Sequence, residues 1–162
     1  MVDAAEFKLA MRRMVAGVSI ITTLTDDGHP HGLTATAVTT VTADPPTLLC
    51  CVNRSASAAL HIRDSRRLGV NVLTAESTRI SQHFSDTSRT CERFTEGSWI
   101  SLATGAPILR EALAAFDCRI SQLTEVGSHF VILGAIEAIH LSPTESKPLL
   151  YGMTRYGTFE FA

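Results

Sequence analysis

Residues 116–139 read FDCRISQLTEVGSHFVILGAIEAI and carry a long alternating pattern. Phe116, Cys118 and Ile120 alternate with polar residues, a period of two that is typical of a strand with one buried face. The triplet Val126-Gly127-Ser128 predicts a turn, and residues 129–139 predict the return strand. The segment therefore predicts a long antiparallel hairpin.

Shorter extended segments precede this hairpin. Residues 18–24 are rich in β-branched side chains, and the turn residues 26–30 separate them from a second strand. Residues 33–42 continue in extended form as far as the prolines 45 and 46, and buried strands are predicted over 48–52 and 68–73. These segments favour a mainly β protein.

Three short helices are predicted around the strands. The first follows Asp3, which stands three residues before Glu6 as in a capping box, and it ends near Gly17 with an apolar face. A second covers residues 55–64 with Ser55 as its N-cap, and a third covers 76–84. Residues 85–106 allow no assignment. The whole pattern predicts one domain over residues 1–162, a β-barrel with short peripheral helices.

The composition narrows the functional classes. Hydrophobic residues make up 45% of the chain and charged residues 19%, with a net charge of −2, so we expect a folded protein without a nucleic-acid partner. No apolar run approaches the ~20 residues that span a bilayer, and the polar N-terminus argues against export, so no membrane partner and a cytoplasmic location are expected. The four cysteines are interpreted as reduced core residues. His29 and His31 are interpreted as an exposed loop pair, and no metal is expected.

The sequence lacks both the Rossmann glycine pattern and the P-loop, so a nucleotide must be held in another way. Asn53-Arg54-Ser55-Ala56-Ser57 follows a buried strand and suits either a phosphate seat at a helix N-terminus or simply a well-capped helix. Residues 32–37, GLTATA, offer small side chains and hydroxyls to a flat ring, although an ordinary threonine-rich strand has the same pattern.

Three further side chains are candidates near the end of the chain. His129 begins the return strand of the long hairpin, where it can orient a nicotinamide first and donate a proton second, although a lone histidine is more often structural. Tyr151 and Arg155 can cover a ligand or pair with phosphate. The alternative for both is an ordinary strand with a surface arginine.

Taken in order, these segments resemble the flavin reductases that accompany flavin-dependent monooxygenases. The resemblance covers nearly the whole chain. It is carried by residues 13–23, 32–46, 48–57, 69–73, 92–94 and 116–129, and residues 116–122 and 135–140 are especially similar to the pyrimidine-pathway reductase.

The resemblance implies an FMN-binding split β-barrel that forms a homodimer. It also implies reduction of FMN or FAD by NADH or NADPH, with the reduced flavin passed to a partner monooxygenase. The alternatives are a pyridoxine-phosphate-oxidase-like FMN enzyme and a non-catalytic flavin-binding module.

The same resemblance assigns site residues, with His129 as the catalytic candidate. The implied cofactor-binding residues are Thr34, Ala35, Thr36, Ala37, Val52, Asn53, Arg54, Ser55, Ser57, Asn71, Val72, Phe84, Arg93, Tyr151 and Arg155. The chain departs from the family pattern at Ser85-Asp86 and at Tyr156-Gly157, which leaves the choice between FMN and FAD open.

Overall fold

The computed structural model describes residues 2–143 and 145–160 and is mainly β. Its strands are β1 (Ala16–Gly17), β2 (Ser19–Leu24), β3 (Pro30–Ala35), β4 (Val38–Ala43), β5 (Pro46–Asn53), β6 (Arg67–Val72), β7 (Trp99–Ser101), β8 (Pro107–Leu109), β9 (Ala114–Val126), β10 (His129–Leu141), β11 (Leu150–Gly152) and β12 (Arg155–Gly157). Its α-helices are α1 (Ala4–Met11), α2 (Ala59–Ser65) and α3 (Thr78–Ser85), with 3-10 turns at Ala75–Ser77 and Thr87–Glu92.

Seven antiparallel strands form the main sheet, in the order β3-β2-β6-β9-β10-β5-β4. The two edge strands, β3 and β4, are consecutive in the chain and are joined only by Thr36 and Ala37. Because such a short link must join opposite edges, the sheet curls until they meet, and Cys51 N donates to Ala37 O at 3.0 Å. The corner at residues 36–37 is where the barrel closes.

The predicted long hairpin is confirmed, since β9 pairs with β10 along its length. Its inward-facing side chains, among them Cys118, Ile120, Phe130 and Ile132, are buried in the core that α2 covers. A second core lies beneath α3 and includes Phe84 and Leu109.

Helix α1 differs from its prediction. Asp3 caps it as expected, with Oδ1 accepting from the backbone N–H groups of Ala5 and Glu6 at 2.8 Å. The helix ends at Met11, however, because Ala16 and Gly17 pair with β11 instead, and none of its residues is buried. The predicted helix to Gly17 is therefore wrong.

The predicted start of α2 is also wrong. Asn53 Oδ1 accepts from Ser55 N at 3.0 Å and from Ser55 Oγ at 2.9 Å, which holds residues 53–55 in a turn that competes with helix formation. The helix begins at Ala59, after Ala58, and has no side-chain cap. Ser55 is not an N-cap.

None of the helices in the described part of the chain is both long enough and apolar enough to cross a bilayer.

Candidate functional site

A cleft of about 580 Å³ opens at the end of β3, between α3 and the β11–β12 hairpin. We call it the central cleft. Five of the predicted cofactor residues line it, namely Thr34, Ala35, Thr36, Tyr151 and Arg155. The remaining lining residues are Val18, Gln82, Ser85, Thr154 and Tyr156. The structure thus brings residues 34–36 and residues 151 and 155, which are far apart in sequence, into one cleft.

The floor of the central cleft is the end of β3. Thr34 Oγ1 donates to the carbonyl of Ser81 at 2.6 Å and so fixes this strand against α3. Gly32 packs closely on Phe84, whose Cε1 would lie 2.7 Å from any added Cβ. Ala35 contributes only a methyl group. The end of β3 thus presents small side chains and the hydroxyl of Thr36 to the cleft.

Helix α3 and the C-terminal hairpin form the walls. Ser81 Oγ and Tyr156 Oη share a hydrogen bond of 3.0 Å, and the ring of Tyr156 meets that of Tyr151 edge-on with centroids 5.2 Å apart. Four lining residues have no predicted role, namely Gln82, Ser85, Thr154 and Tyr156. Two of these, Ser85 and Tyr156, stand where the chain departs from the family pattern. That departure is the sequence signal that could have identified them as site residues.

The turn of this hairpin has an uncommon backbone. Met153 and Thr154 have φ values of 51° and 63°, the left-handed region in which a β-branched residue such as threonine is rarely found. Strain of this kind costs about 1 kcal/mol or more per residue and persists only where neighbouring contacts impose it. Met153 N donates to Arg12 O at 2.8 Å, which ties the turn to the end of α1.

Asn53, Arg54 and Ser55 form a second exposed group at the end of β5. Arg54 Nη1 lies 3.0 Å from Glu125 Oε2, and both side chains are about half exposed. Such surface ion pairs contribute about 1 kcal/mol or less, so a phosphate can replace the carboxylate at little cost. Because α2 starts at Ala59, its dipole does not reach this group, and the predicted seat at a helix N-terminus is wrong in that respect.

His129 belongs with this second group. It pairs with Asn53 across the β5–β10 ladder, and its Nδ1 shares a hydrogen bond of 2.9 Å with Ser128 Oγ. The imidazole is half-buried, and it does not line the central cleft. Within a single chain, the catalytic candidate His129 does not share a pocket with Tyr151 and Arg155, the residues predicted to cover a ligand or pair with phosphate.

Several predicted cofactor residues have side chains inside the protein. Val52 and Phe84 belong to the two cores, and Val72 is half-buried. Asn71 is fully buried, with Nδ2 donating to Ile20 O at 3.0 Å and Oδ1 accepting from Leu109 N at 2.7 Å. The Asn71 side chain joins β8 to the sheet, and its backbone lies between β2 and β9, so this residue has no exposed group to offer a ligand.

Arg93 is also buried, with 4% of its surface exposed. Its guanidinium donates to Gly32 O at 2.9 Å and to Ser57 Oγ at 3.1 Å, as well as to two further carbonyls. Burial lowers the pKa of Arg93, and Asp86 partly opposes that shift. Arg93 therefore braces β3 and the loop of Ser57 from behind, and it does not line the cleft.

The interpretation of His29 and His31 as an exposed loop pair is wrong for His31, which lies in β3 and is half-buried. His29 is exposed, whereas the ring of His31 stacks on His61 with centroids 3.7 Å apart. Desolvation, followed by the charges of His61 and His29, lowers the pKa of His31. The described residues contain no group of three or more side chains that could hold a metal ion.

An apolar groove of about 740 Å³ runs along β4 and β5. We call it the β4–β5 groove. Its apolar lining residues include Val38, Val41, Leu48, Phe116 and Ile136, and Val41 is 50% exposed. A groove of this kind on a sheet edge is typical of an interaction surface.

Comparison with known proteins gives a consistent result. The model of the flavin reductase like domain matches residues 11–160. The FMN reductase (NADH) RutF of Escherichia coli (strain K12) is 46% identical over 143 residues, which cover 88% of this chain and 87% of that protein.

Solved structures agree. A putative flavin reductase from Haemophilus somnus 129PT superposes with a TM-score of 0.92 at 40% identity, covering 98% of this chain and all of that one. BorF, the flavin reductase component of a bacterial two-component tryptophan halogenase, superposes with a TM-score of 0.87 at 26% identity, covering 99% and 100%. These matches confirm the predicted split-barrel fold.

Proposed function

Because the chain belongs to the flavin reductase like domain family, we propose that it uses NADH or NADPH to reduce FMN or FAD and releases the reduced flavin. The 46% identity to a protein named FMN reductase (NADH) favours FMN and NADH as the working pair. The bound flavin supplies the hydride acceptor and the reduced nicotinamide the donor, while the protein supplies geometry and electrostatics.

The observation that carries this proposal is the chemistry of the central cleft. Its volume of about 580 Å³ lies within the usual range for a ligand pocket, and its floor of Ala35 and the threonines suits a flat ring. Among the residues that the structure describes, the lining contains Arg155 and no carboxylate, an arrangement that favours an anionic ligand. These residues fit a flavin ring.

We assign distinct tasks to the residues around the ring. Thr34 to Ala37 hold its plane, with Tyr151 and Tyr156 excluding water from one side. Negative charge that develops on the reduced ring requires donors at its polar edge. Arg93 is already engaged by buried carbonyl groups, so Arg155 and the exposed backbone near Thr36 are the better donors.

We assign the phosphate end of the flavin to the exposed turn at the end of β5. Asn53, Arg54 and Ser55 present an amide, a guanidinium and a hydroxyl on one exposed turn, and Ser57 is held in place by Arg93. His129 stands beside them and is proposed to position the nicotinamide. Val52 and Asn71 are fully buried and support these strands from inside the fold, Val72 is half-buried beside them, and Phe84 packs against Gly32.

A second copy of the chain is the proposed occupant of the β4–β5 groove. Within one chain the groove is open, and Val41 is 50% exposed. A homodimer would cover the groove and bring residues of two chains together around the flavin. Val41→Asp is expected to give a monomer in light scattering coupled to gel filtration, and an unchanged dimer would refute this placement.

We also propose a partner monooxygenase that consumes the reduced flavin, and a cytoplasmic location. Support for the partner comes from BorF, which is named as the reductase component of a two-component system. A proposed partner is tested by adding a flavin-dependent monooxygenase to the reductase and measuring substrate oxidation that depends on NADH and on added FMN.

One steady-state assay tests the function itself. Purified protein is mixed with NADH or NADPH and with FMN or FAD, and the loss of nicotinamide absorbance is followed. Oxidation that requires added flavin supports the reductase. Tight flavin binding without oxidation would indicate a flavin-binding module, and turnover of pyridoxine phosphate would indicate an oxidase.

A further inference from the structure

A second cleft, of about 510 Å³, adjoins the central cleft beneath helix α1. We call it the N-terminal cleft. Thr36, Tyr151 and Thr154 line both clefts, so the two form one continuous groove. The groove therefore extends from the proposed ring site toward the end of α1.

The N-terminal cleft is positively charged. Lys8 and Arg12 line it four residues apart, and Arg155 adds a third cation on the central side. No aspartate or glutamate lines either cleft, and none of the three cations forms an ion pair with a carboxylate among the described residues. Unpaired cations of this kind attract a phosphate-bearing ligand.

These cations are held over the cleft by the fold. The carbonyl of Arg12 accepts from Met153 N at 2.8 Å, and Ala16 of β1 pairs with Tyr151 of β11. Val15 packs directly on Gly152, where an added Cβ would lie 2.7 Å from Val15 Cγ2. The end of α1 is thus fixed to the same hairpin that walls the central cleft.

The cleft also has an apolar part. Met11 and Met14 line it and are 44% and 61% exposed, respectively. Thioether side chains adapt their shape to aromatic rings and make favourable contacts with them. Two cations beside two methionines match a ligand that joins a diphosphate to a flat base.

We propose that the N-terminal cleft binds the adenosine diphosphate half of the nicotinamide dinucleotide. Lys8 and Arg12 hold the diphosphate, and Met11 and Met14 pack against the adenine. This inference rests on the proposed function, because the nicotinamide end must reach the central cleft. It adds a binding site to that function.

The test compares NADH with reduced nicotinamide mononucleotide, which lacks the adenylate. The double variant Lys8→Gln, Arg12→Gln is expected to raise KM for NADH about tenfold, or about 1.4 kcal/mol. KM for the mononucleotide and for FMN is expected to stay unchanged. The matched control is Arg13→Gln, since Arg13 is an exposed neighbouring cation that lines neither cleft.

A binding measurement makes the test independent of turnover. Calorimetric titration of flavin-free protein with ADP-ribose is expected to show a Kd about tenfold higher in the double variant than in wild type or Arg13→Gln. An equal loss in Arg13→Gln, or an equal rise in KM for the mononucleotide, would overturn the proposal. A rise in KM for FAD but not for NADH would assign the cleft to the flavin adenylate and overturn it as well. Wild-type protein that fails to oxidise NADH would refute the proposed function, and the titration would still decide this inference.

Discussion

Replacement of Arg93 by methionine tests whether a buried arginine holds the site together. The guanidinium donates to Gly32 O at 2.9 Å, Asp86 O at 3.2 Å, His83 O at 3.3 Å and Ser57 Oγ at 3.1 Å. Methionine keeps most of the side-chain volume but donates no hydrogen bond. The variant therefore removes the contacts without opening a large cavity.

The expected magnitude follows from the two shortest carbonyl contacts. A hydrogen bond to a charged group contributes about 1.5–3 kcal/mol, and a buried acceptor left without a donor carries its own cost. Two such contacts at about 2 kcal/mol each give a loss of about 4 kcal/mol. The stabilisation from the other two contacts, to His83 O and Ser57 Oγ, is offset by the cost of burying the guanidinium, which methionine does not incur. Arg93→Lys keeps the charge and part of the bonding, so we expect it to lose about 2 kcal/mol.

Urea unfolding, followed by tryptophan fluorescence at one fixed protein concentration, measures these losses. Trp99 is the single tryptophan of the chain, and its ring lies 5.6 Å from that of Phe84 and 4.9 Å from that of Phe94. It therefore reports on the core beneath α3. The control is Arg119→Met, because Arg119 forms an exposed ion pair with Glu137 whose loss should cost less than about 1 kcal/mol.

A second variant separates stability from binding. Ser57→Ala removes the contact with Arg93 together with a hydroxyl of the proposed phosphate site, so we expect KM for FMN to rise about threefold with less than about 1 kcal/mol of lost stability. If the free energy of unfolding of Arg93→Met lies within about 1 kcal/mol of the wild-type value, the buried hydrogen bonds of Arg93 do not stabilise the fold.

Three other predictions concern separate parts of the molecule. His129→Ala is expected to raise KM for NADH several-fold more than KM for FMN in steady-state kinetics, and unchanged NADH kinetics would remove its positioning role. Gly69→Ala is expected to cost about 2–3 kcal/mol in urea unfolding, because the new methyl group would overlap Thr22 Oγ1; Gly157→Ala, with open space around it, should cost less than about 1 kcal/mol. Burial lowers the pKa of His31 below its ordinary value of about 6.5, so the unfolded chain binds the proton first and stability declines as the pH falls below that value. His31→Phe should flatten this decline in unfolding curves recorded between about pH 7 and pH 5, and an identical pH dependence would contradict the assignment.

Local patterns predicted most of the β-structure. The alternation in residues 116–139 and the turn residues 26–30 act over a few neighbours, and both hairpins form where they predict. The helices were less well predicted. Asn53 Oδ1 holds Ser55 in a turn, and Ala16 pairs with Tyr151, so hydrogen bonds to particular partners outweighed helix propensity.

The sequence by itself determined the family, because the motifs that carry the resemblance stand in order along the chain. It also determined the long hairpin, because strand alternation acts between residues that are close in sequence. It did not determine which polar side chains face the cleft. Ser81 and Tyr156 meet although they stand 75 positions apart, whereas Asn71 and Arg93 turn inward to bond buried backbone groups. Only the closed barrel decides between these outcomes. A polar side chain turns inward where neighbouring strands leave a buried backbone N–H or C=O group without a partner, and it faces solvent elsewhere.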